Sequence, residues 1–164
     1  MNGLKFRPYQ SEDNSRCVEI FMSNTRLYFG VEEADEFRQF LQDLPCAYFV
    51  VTQNDVIVAC GGHGCHGKKQ AVVLCWGIVH AELHKQGLGK FLLVERLRQI
   101  FTDFGETVVK IDTSQHSQGF FERYGFQVKE VTESYFAPDL HRVEMELQLN
   151  EVFHSALSSK VNIN

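Results

Sequence analysis

Apolar and polar positions along this chain recur with periods that set out most of its elements. Leu4-Lys5-Phe6-Arg7 alternates, which predicts a short strand ended by Pro8. Ser11 then stands as a helix N-cap, followed by Glu12 and Asp13 where the helix dipole favours acids. Cys17, Ile20, Phe21 and Asn24 follow at spacings of three and four, predicting a helix over 12–25. Gly30 interrupts the pattern. Glu32 and Glu33 open a second helix, with Phe37, Phe40, Leu41 and Leu44 on one face and Pro45 as its stop.

Residues 47–52 and 56–60 read as two strands of a hairpin turned at Asn54-Asp55. Gly61, Gly62, Gly64 and Gly67 predict an irregular connection after them. Ala71 to Val79 is a long β-rich run and reads as central in a sheet. From Gly87 the period changes: Phe91, Leu92, Val94, Leu97, Ile100 and Phe101 predict an amphipathic helix ending near Gly105, with Arg96 and Gln99 between the apolar positions. Val108 to Ile111 is a strand. Phe120, Phe121 and Tyr124 lie on a short helix closed by Gly125. Residues 126–135 and 142–149 are the last strands, the second alternating cleanly through Val143, Met145, Leu147 and Leu149.

The order β-α-α-β-β-β-α-β-α-β-β predicts an α/β (α+β mixed) fold. Its centre is a mixed, mostly antiparallel sheet of about seven strands, flanked by about four helices. Its parallel part needs right-handed crossovers, supplied by the helices after Val79 and after Asp112. No repeat or linker divides the chain, so residues 1–149 form one domain and 150–164 a tail. In that tail Val152, Phe153 and Leu157 fall at helical spacing. They leave open either packing in cis or a homodimer across the final strand and tail.

Composition narrows the function classes. With 44% hydrophobic residues the chain carries material for one core and is not disordered. A net charge of −5 speaks against nucleic acid as partner, since phosphate binding draws on a basic surface. The N-terminal residues lack the apolar core of a signal peptide, and no apolar run approaches membrane-spanning length, so no membrane partner is expected. Five cysteines, mostly inside apolar runs, read as free thiols in a reducing compartment. The expected location is cytoplasmic.

The stretch Val79-His80-Ala81-Glu82-Leu83-His84-Lys85-Gln86-Gly87-Leu88-Gly89-Lys90-Phe91 carries the candidate chemistry. A strand runs through a glycine-containing turn directly into a helix. The first helical turn leaves N–H groups unpaired at the positive end of the dipole, and two glycines let a bulky anion approach the backbone. Lys85 and Lys90 bracket that turn. It is neither a Walker loop nor a dinucleotide fingerprint.

The segment resembles motif A of the GNAT superfamily of acyl-coenzyme A-dependent N-acetyltransferases, Arg/Gln-x-x-Gly-x-Gly/Ala. His84 holds the Arg/Gln position and Gly87 and Gly89 the glycines, with Val79 and Glu82 in the approach. The family's second motif, Asn-x-x-Ala-x-x-x-Tyr-x-x-x-Gly-Phe, has its counterpart in Ser114 through Phe121 to Gly125-Phe126. The resemblance covers about residues 3–149. It implies transfer of an acetyl or other acyl group from acetyl-CoA to a primary amine, by direct attack, with no metal. The pyrophosphate would lie on the amides of Lys85, Gln86, Gly87, Leu88, Gly89 and Lys90, beside His84. The pantetheine arm would pair with the backbone near Ile78 and Val79, where a splay between the fourth and fifth strands opens. A backbone N–H near Val79 would stabilise the oxyanion. Ser114 and Phe121 would complete the cofactor contacts.

Three departures matter. His84 replaces Arg/Gln and weakens the attraction for phosphate. Ser114 replaces Asn. Phe121 stands where the family commonly has the Tyr that protonates the leaving thiolate, which leaves Tyr124 or Ser117 on the same helix to substitute. As general base, His80, Glu82, Cys75 and Asp112 are candidates, each with a structural role as the alternative.

Elsewhere, Cys60, His63, Cys65 and His66 crowd one short segment. A metal site is not expected from them, because structural zinc sites usually bring two ligand pairs from separate segments. They read as a glycine-rich turn with solvent-facing imidazoles, or as part of the acceptor pocket. Phe29 and Phe37 are candidate acceptor-site residues. The acidic run Glu32, Glu33, Asp35, Glu36 is either a solvated helix start or an attractor for a cationic amine. A small-molecule amine acceptor is the leading expectation. The alternatives are a protein N-terminus or lysine, and a non-catalytic acyl-CoA-binding sensor module.

Overall fold

The computed structural model describes residues 3–25, 29–65 and 71–161, with side chains described to residue 157. The strands are β1 (Leu4–Pro8), β2 (Ala47–Gln53), β3 (Val56–Cys65), β4 (Ala71–Val79), β5 (Thr107–Thr113), β6 (Gln127–Ala137) and β7 (Leu140–Leu149). The helices are α1 (Asn14–Ser23), α2 (Glu33–Asp43), α3 (Leu88–Phe104), α4 (Gln115–Glu122) and α5 (Glu151–Val161). The seven strands form one sheet in the order β1-β2-β3-β4-β5-β7-β6. Among these strands only β4 and β5 pair in parallel, and α3 makes their crossover.

Alternation along the strands explains the layers. Val50, Cys60 and Ile78 face α1 and α2, where they meet Cys17, Ile20, Phe21 and Phe37. Their neighbours Val51 and Ala59 point the opposite way, beside Leu88 and Leu92 of α3. The larger core lies on that second face. It joins Leu93, Leu97 and Ile100 of α3 to Val109, Met145 and Leu147, and to Phe121 and Leu157. Phe37 is fully buried, and a side chain of that size contributes about 1.5–3 kcal/mol by leaving water.

The first helix does not start at Ser11. A 3-10 turn spans Ser11–Asp13 and α1 begins at Asn14. Asp13 is the organising residue. Its carboxylate accepts both terminal nitrogens of Arg7, at 2.7 and 2.8 Å, and the N–H of Gln10 at 2.9 Å. At the end of α2, Leu44 takes a left-handed conformation (φ 43°) and donates to Phe40 O, which stops the helix before Pro45. The hairpin turn at Asn54 and Asp55 has φ 51° and 63°, as a two-residue turn between twisted strands requires.

One expectation is corrected. Gly61, Gly62 and Gly64 are not a connection but the second half of β3: Gly62 pairs on both sides, Gly61 with β2 and Gly64 with β4; Gly67 lies outside the described residues. Among the described residues five α-helices flank the sheet, the residues after Asn150 making α5. That helix folds back on its own chain, with Leu157 only 2% exposed and His154 stacked on Phe101 of α3 at 4.1 Å.

Candidate active site

The central feature is an interrupted strand pair. β4 pairs with β5 only through Ala71–Leu74 against Val108–Ile111. From Cys75 onward the edge of β4 facing β5 is open. On its other edge β4 stays joined to β3, but the register shifts: Cys60 opposes Ile78, and Gly62 opposes Cys75. Trp76 and Gly77 therefore oppose the single residue Gly61, which is a β-bulge. Trp76 carries the strain of the bulge at φ 40°. Its carbonyl accepts the Tyr48 hydroxyl at 2.9 Å, and its ring packs 5.1 Å from Phe37 and 6.1 Å from Phe29. Burial pushes the Tyr48 phenol up, so the hydroxyl stays protonated as a donor.

Below the bulge, main-chain directions follow from one bond. His80 N–H donates to Val58 O at 3.0 Å, so His80 and Ile78 face β3, and Val79 faces the open edge. The Val79 carbonyl is already engaged. It accepts Asn24 Nδ2 at 2.9 Å and lies 3.0 Å from His84 Nε2. The Val79 N–H remains directed at the opening. Asn24, 3% exposed, and Ser23, whose hydroxyl accepts the Ala81 N–H at 3.0 Å, fasten the end of α1 to this corner.

The chain then turns through a 3-10 segment, Ala81–Leu83, where His80 Nδ1 accepts the Glu82 N–H at 3.4 Å. Glu82, Lys85 and Gln86 are exposed, and His80 and His84 are half-buried. Lys85 (φ 62°) and Gly87 (φ 83°) are both left-handed, which swings the chain into α3. No side chain caps that helix. Geometry leaves the amides of Leu88 and Gly89 without intrahelical acceptors, while the Leu88 side chain anchors in the core, 2% exposed. A methyl on Gly89 would meet the Phe120 ring at 3.6 Å and Val79 Cγ2 at 3.9 Å, both ordinary contacts. Packing therefore does not demand glycine there. An anion approaching the amides is a reason for it, so the residues present fit a bound diphosphate.

The second motif is split between functions. Ser114 is buried and its carbonyl caps α4 by accepting the Ser117 and Gln118 amides at 3.0 and 3.1 Å. Phe121 turns into the core, 7% exposed, edge-on to Phe126. Phe120, on the same helix but not among the site residues expected from the sequence, is the ring beside Gly89. Tyr124 is half-buried and touches Phe120 with ring centroids 5.1 Å apart. Asp112 stands one residue past the last β4–β5 pair, and its carboxylate is held by Arg142 at 2.8 Å.

The Cys/His segment divides between the two faces of the sheet. Cys60 is fully buried against α1 beside Cys17, whose thiol is pushed up first by the neighbouring Cys60 sulfur and then by burial. His63 points to α3 and is 1% exposed, not solvent-facing as the sequence suggested. Cys65 is exposed, and His66 lies outside the described residues. Among the described residues, no group of three or more His, Cys, Asp or Glu is placed to hold a metal ion. Among them too, no helix is long and apolar enough to cross a membrane.

A parallel strand pair opened by a bulge, beside the uncapped start of the crossover helix, defines a class of group-transfer folds. The Acetyltransferase (GNAT) domain family matches residues 23–149, and the chain belongs to that family. None of the curated proteins is a significant match. Among solved structures, a Desulfovibrio desulfuricans protein ascribed to the GNAT acetyltransferases superposes with TM-score 0.78 at 19% identity, covering 90% of this chain and 99% of that one. The ribosomal-protein-S18-alanine N-acetyltransferase of Escherichia coli gives 0.75 at 15% identity, covering 90% and 94%. A Salmonella typhimurium protein described as an acetyltransferase, solved with its cofactor acetyl-CoA, gives 0.70 at 20% identity, covering 92% and 96%. At these identities the likeness is one of fold.

Proposed function

We propose that this protein transfers an acetyl group from acetyl-CoA to the primary amine of a small molecule, by direct attack in a ternary complex. The observation that carries the reading is the open edge of β4 from Cys75 to Val79, leading into the uncapped amides of α3. An extended amide-bearing arm suits the first, and a diphosphate suits the second. Acetyl-CoA, carried by the Salmonella protein of the same fold, has both. In the transfer, the amine nitrogen bonds to the thioester carbonyl carbon, the carbon–sulfur bond breaks, and the thiolate leaves. The Val79 N–H, facing the opening, suits the oxyanion. His80 and Glu82 are the nearest candidates in the turn for taking the ammonium proton. Tyr124 is the hydroxyl left to meet the thiolate, since Phe121 has none.

On the acceptor side, half-buried Phe29 and Phe40 surround Trp76 and favour an amine with an apolar body. The acidic start of α2 is only partly available to attract it. Glu33 accepts the Gly30 N–H at 2.6 Å, and burial holds its carboxyl above the usual range. All five thiols are free, which suits a reducing, cytoplasmic setting.

Titration calorimetry with acetyl-CoA tests the shared requirement, and thiol release against a panel of small amines and peptides tests the rest. The expected result is binding in the micromolar to millimolar range, about 1 μM to 1 mM, with release on small amines. Release on peptides alone moves the acceptor to proteins. Binding without release on any amine makes the chain a sensor. No binding removes the reading.

A further inference from the structure

Arg96 lies on α3 but does not face solvent. It is 3% exposed, between Leu92 at 2% and Ile100 at 0%, one turn away on either side. Its guanidinium is pressed against the strands that form the bulge. A methyl on Gly61 would come within 3.1 Å of Nη1, and one on Gly77 within 2.7 Å of Nη2. Nη1 donates to Gly62 O at 3.3 Å, and Nε has no acceptor. Among the described residues no carboxylate pairs with it. Its polar neighbours are Cys60, Cys75, Tyr48 and the buried His63, none of them a carboxylate. The unpartnered buried side-chain nitrogens among the described residues are this Nε and both ring atoms of His63, so they gather in one place.

A buried cation with no carboxylate partner is costly, and an aliphatic side chain at position 96 would fill the space more cheaply. The position explains what a packing account does not. Gly77 is exposed and lies past Leu74, the last β4 residue paired with β5, so the guanidinium sits behind the edge that has already opened.

We propose that Arg96 is a positioning residue for acyl transfer: its fixed charge, acting through the Gly77–Val79 backbone, stabilises the negative charge that develops on the acyl carbonyl oxygen at that edge. The inference rests on the acetyl-transfer reading above. As the amine nitrogen bonds to the carbonyl carbon, the carbonyl π electrons move onto oxygen. They return as the carbon–sulfur bond breaks and the thiolate leaves. Arg96 gives and takes no proton. A buried charge that need not reorganise is worth most at such a point.

The test compares the full-length wild type with Arg96→Met and Arg96→Lys, each first checked for a cooperative melt. The measurements are the Kd for acetyl-CoA, kcat at saturating amine, and the infrared carbonyl stretch of bound [1-13C]acetyl-CoA. In Arg96→Met the Kd is expected to stay within about 3-fold, kcat to fall about 100-fold, and the carbonyl stretch to move to higher frequency. Arg96→Lys restores part of both changes. A kcat and stretch in Arg96→Met equal to wild type overturn the proposal, as does a loss confined to Kd. If Arg96→Met does not fold, Arg96→Gln, which retains a donor for Gly62 O without the charge, carries the comparison. A wild type that binds no acetyl-CoA sinks the acetyl-transfer reading itself. A wild type matched in turnover by the uncharged variant sinks only the role of Arg96.

Discussion

The hydroxyl of Tyr48 on β2 reaches across β3 to the carbonyl of Trp76 on β4, 2.9 Å away. It can do so because β3 presents Gly62 beneath it. A methyl there would lie 2.6 Å from the Tyr48 ring and 2.5 Å from Ala47 O. One bond spanning three strands thus fastens the bulge from which the open edge begins.

Removing that hydroxyl leaves the ring in place but the Trp76 carbonyl unsatisfied. Tyr48→Phe is expected to cost about 1–3 kcal/mol of stability, read from urea unfolding. The lost kcat is expected to exceed any loss of acetyl-CoA affinity, because the bulge aims the Gly77 and Val79 backbone. A variant as stable and as active as wild type shows that packing alone holds the bulge.

Gly77 and Arg96 are predicted to be energetically coupled. Gly77→Ala places a methyl 2.7 Å from the guanidinium and is expected to destabilise by about 1–3 kcal/mol. Arg96→Ala removes the obstacle, so the double variant should be more stable than the sum of the singles predicts, by at least about 1 kcal/mol. Strict additivity in denaturant unfolding would mean that the glycine is there for another reason.

The same glycines mark where the sequence misleads. Period-2 alternation in β7 and the apolar spacings of α1, α2 and α3 were readable because side chains of those elements meet the core. In β3 the pattern stops at Gly61. Its place in the sheet is filled by residues distant in sequence: Arg96 over Gly61, Tyr48 and Cys75 over Gly62, and Cys46 over Gly64. A strand whose faces are supplied by other elements carries no pattern of its own. Arg96 did leave a signal, being four residues from both Leu92 and Ile100 on the buried stripe, but its charge argued for the surface. The turn from Val79 to Gly89 was legible as a strand-to-helix connection because glycine spacing bears directly on main-chain geometry. Asn24 and Tyr48 were not, because their roles depend on carbonyls 55 and 28 residues away.

Asp13 replaces the expected cap at Ser11, and its worth can be measured. The Arg7 guanidinium holds the Asp13 carboxyl below its usual range. A carboxyl depressed in the folded state contributes stability above its unfolded value, near pH 4, and loses it as pH falls through the folded value. Asp13→Asn is expected to cost about 1 kcal/mol at pH 7, near the low end because Arg7 is partly exposed and water screens the pair. The difference from wild type should narrow as the pH drops below about 4. A constant difference across that range would assign the effect to the Gln10 bond alone.

His63 makes the opposite kind of prediction. Its ring stacks on Phe49 at 5.5 Å and meets Phe104 edge-on at 6.4 Å, with both nitrogens unpartnered. Burial first, and the Arg96 charge second, push its pKa down to about 4, against a smaller opposing pull from Asp103. The unfolded chain takes up the proton near pH 6.5, well before the folded one does. Stability contributed by this site is therefore complete above about pH 6.5 and drains away as the pH falls toward 4, by about 3 kcal/mol in all. His63→Phe keeps the ring stack, removes two unsatisfied nitrogens and abolishes that titration. It is expected to stabilise the fold by about 1–2 kcal/mol at pH 7 and to flatten the dependence of unfolding free energy on pH between about 6.5 and 4.5. Urea unfolding at several pH values within that window decides the matter. Equal slopes for the two proteins would mean that His63 reaches water or an acceptor, and that the neutral, sealed histidine described here is not the state in solution.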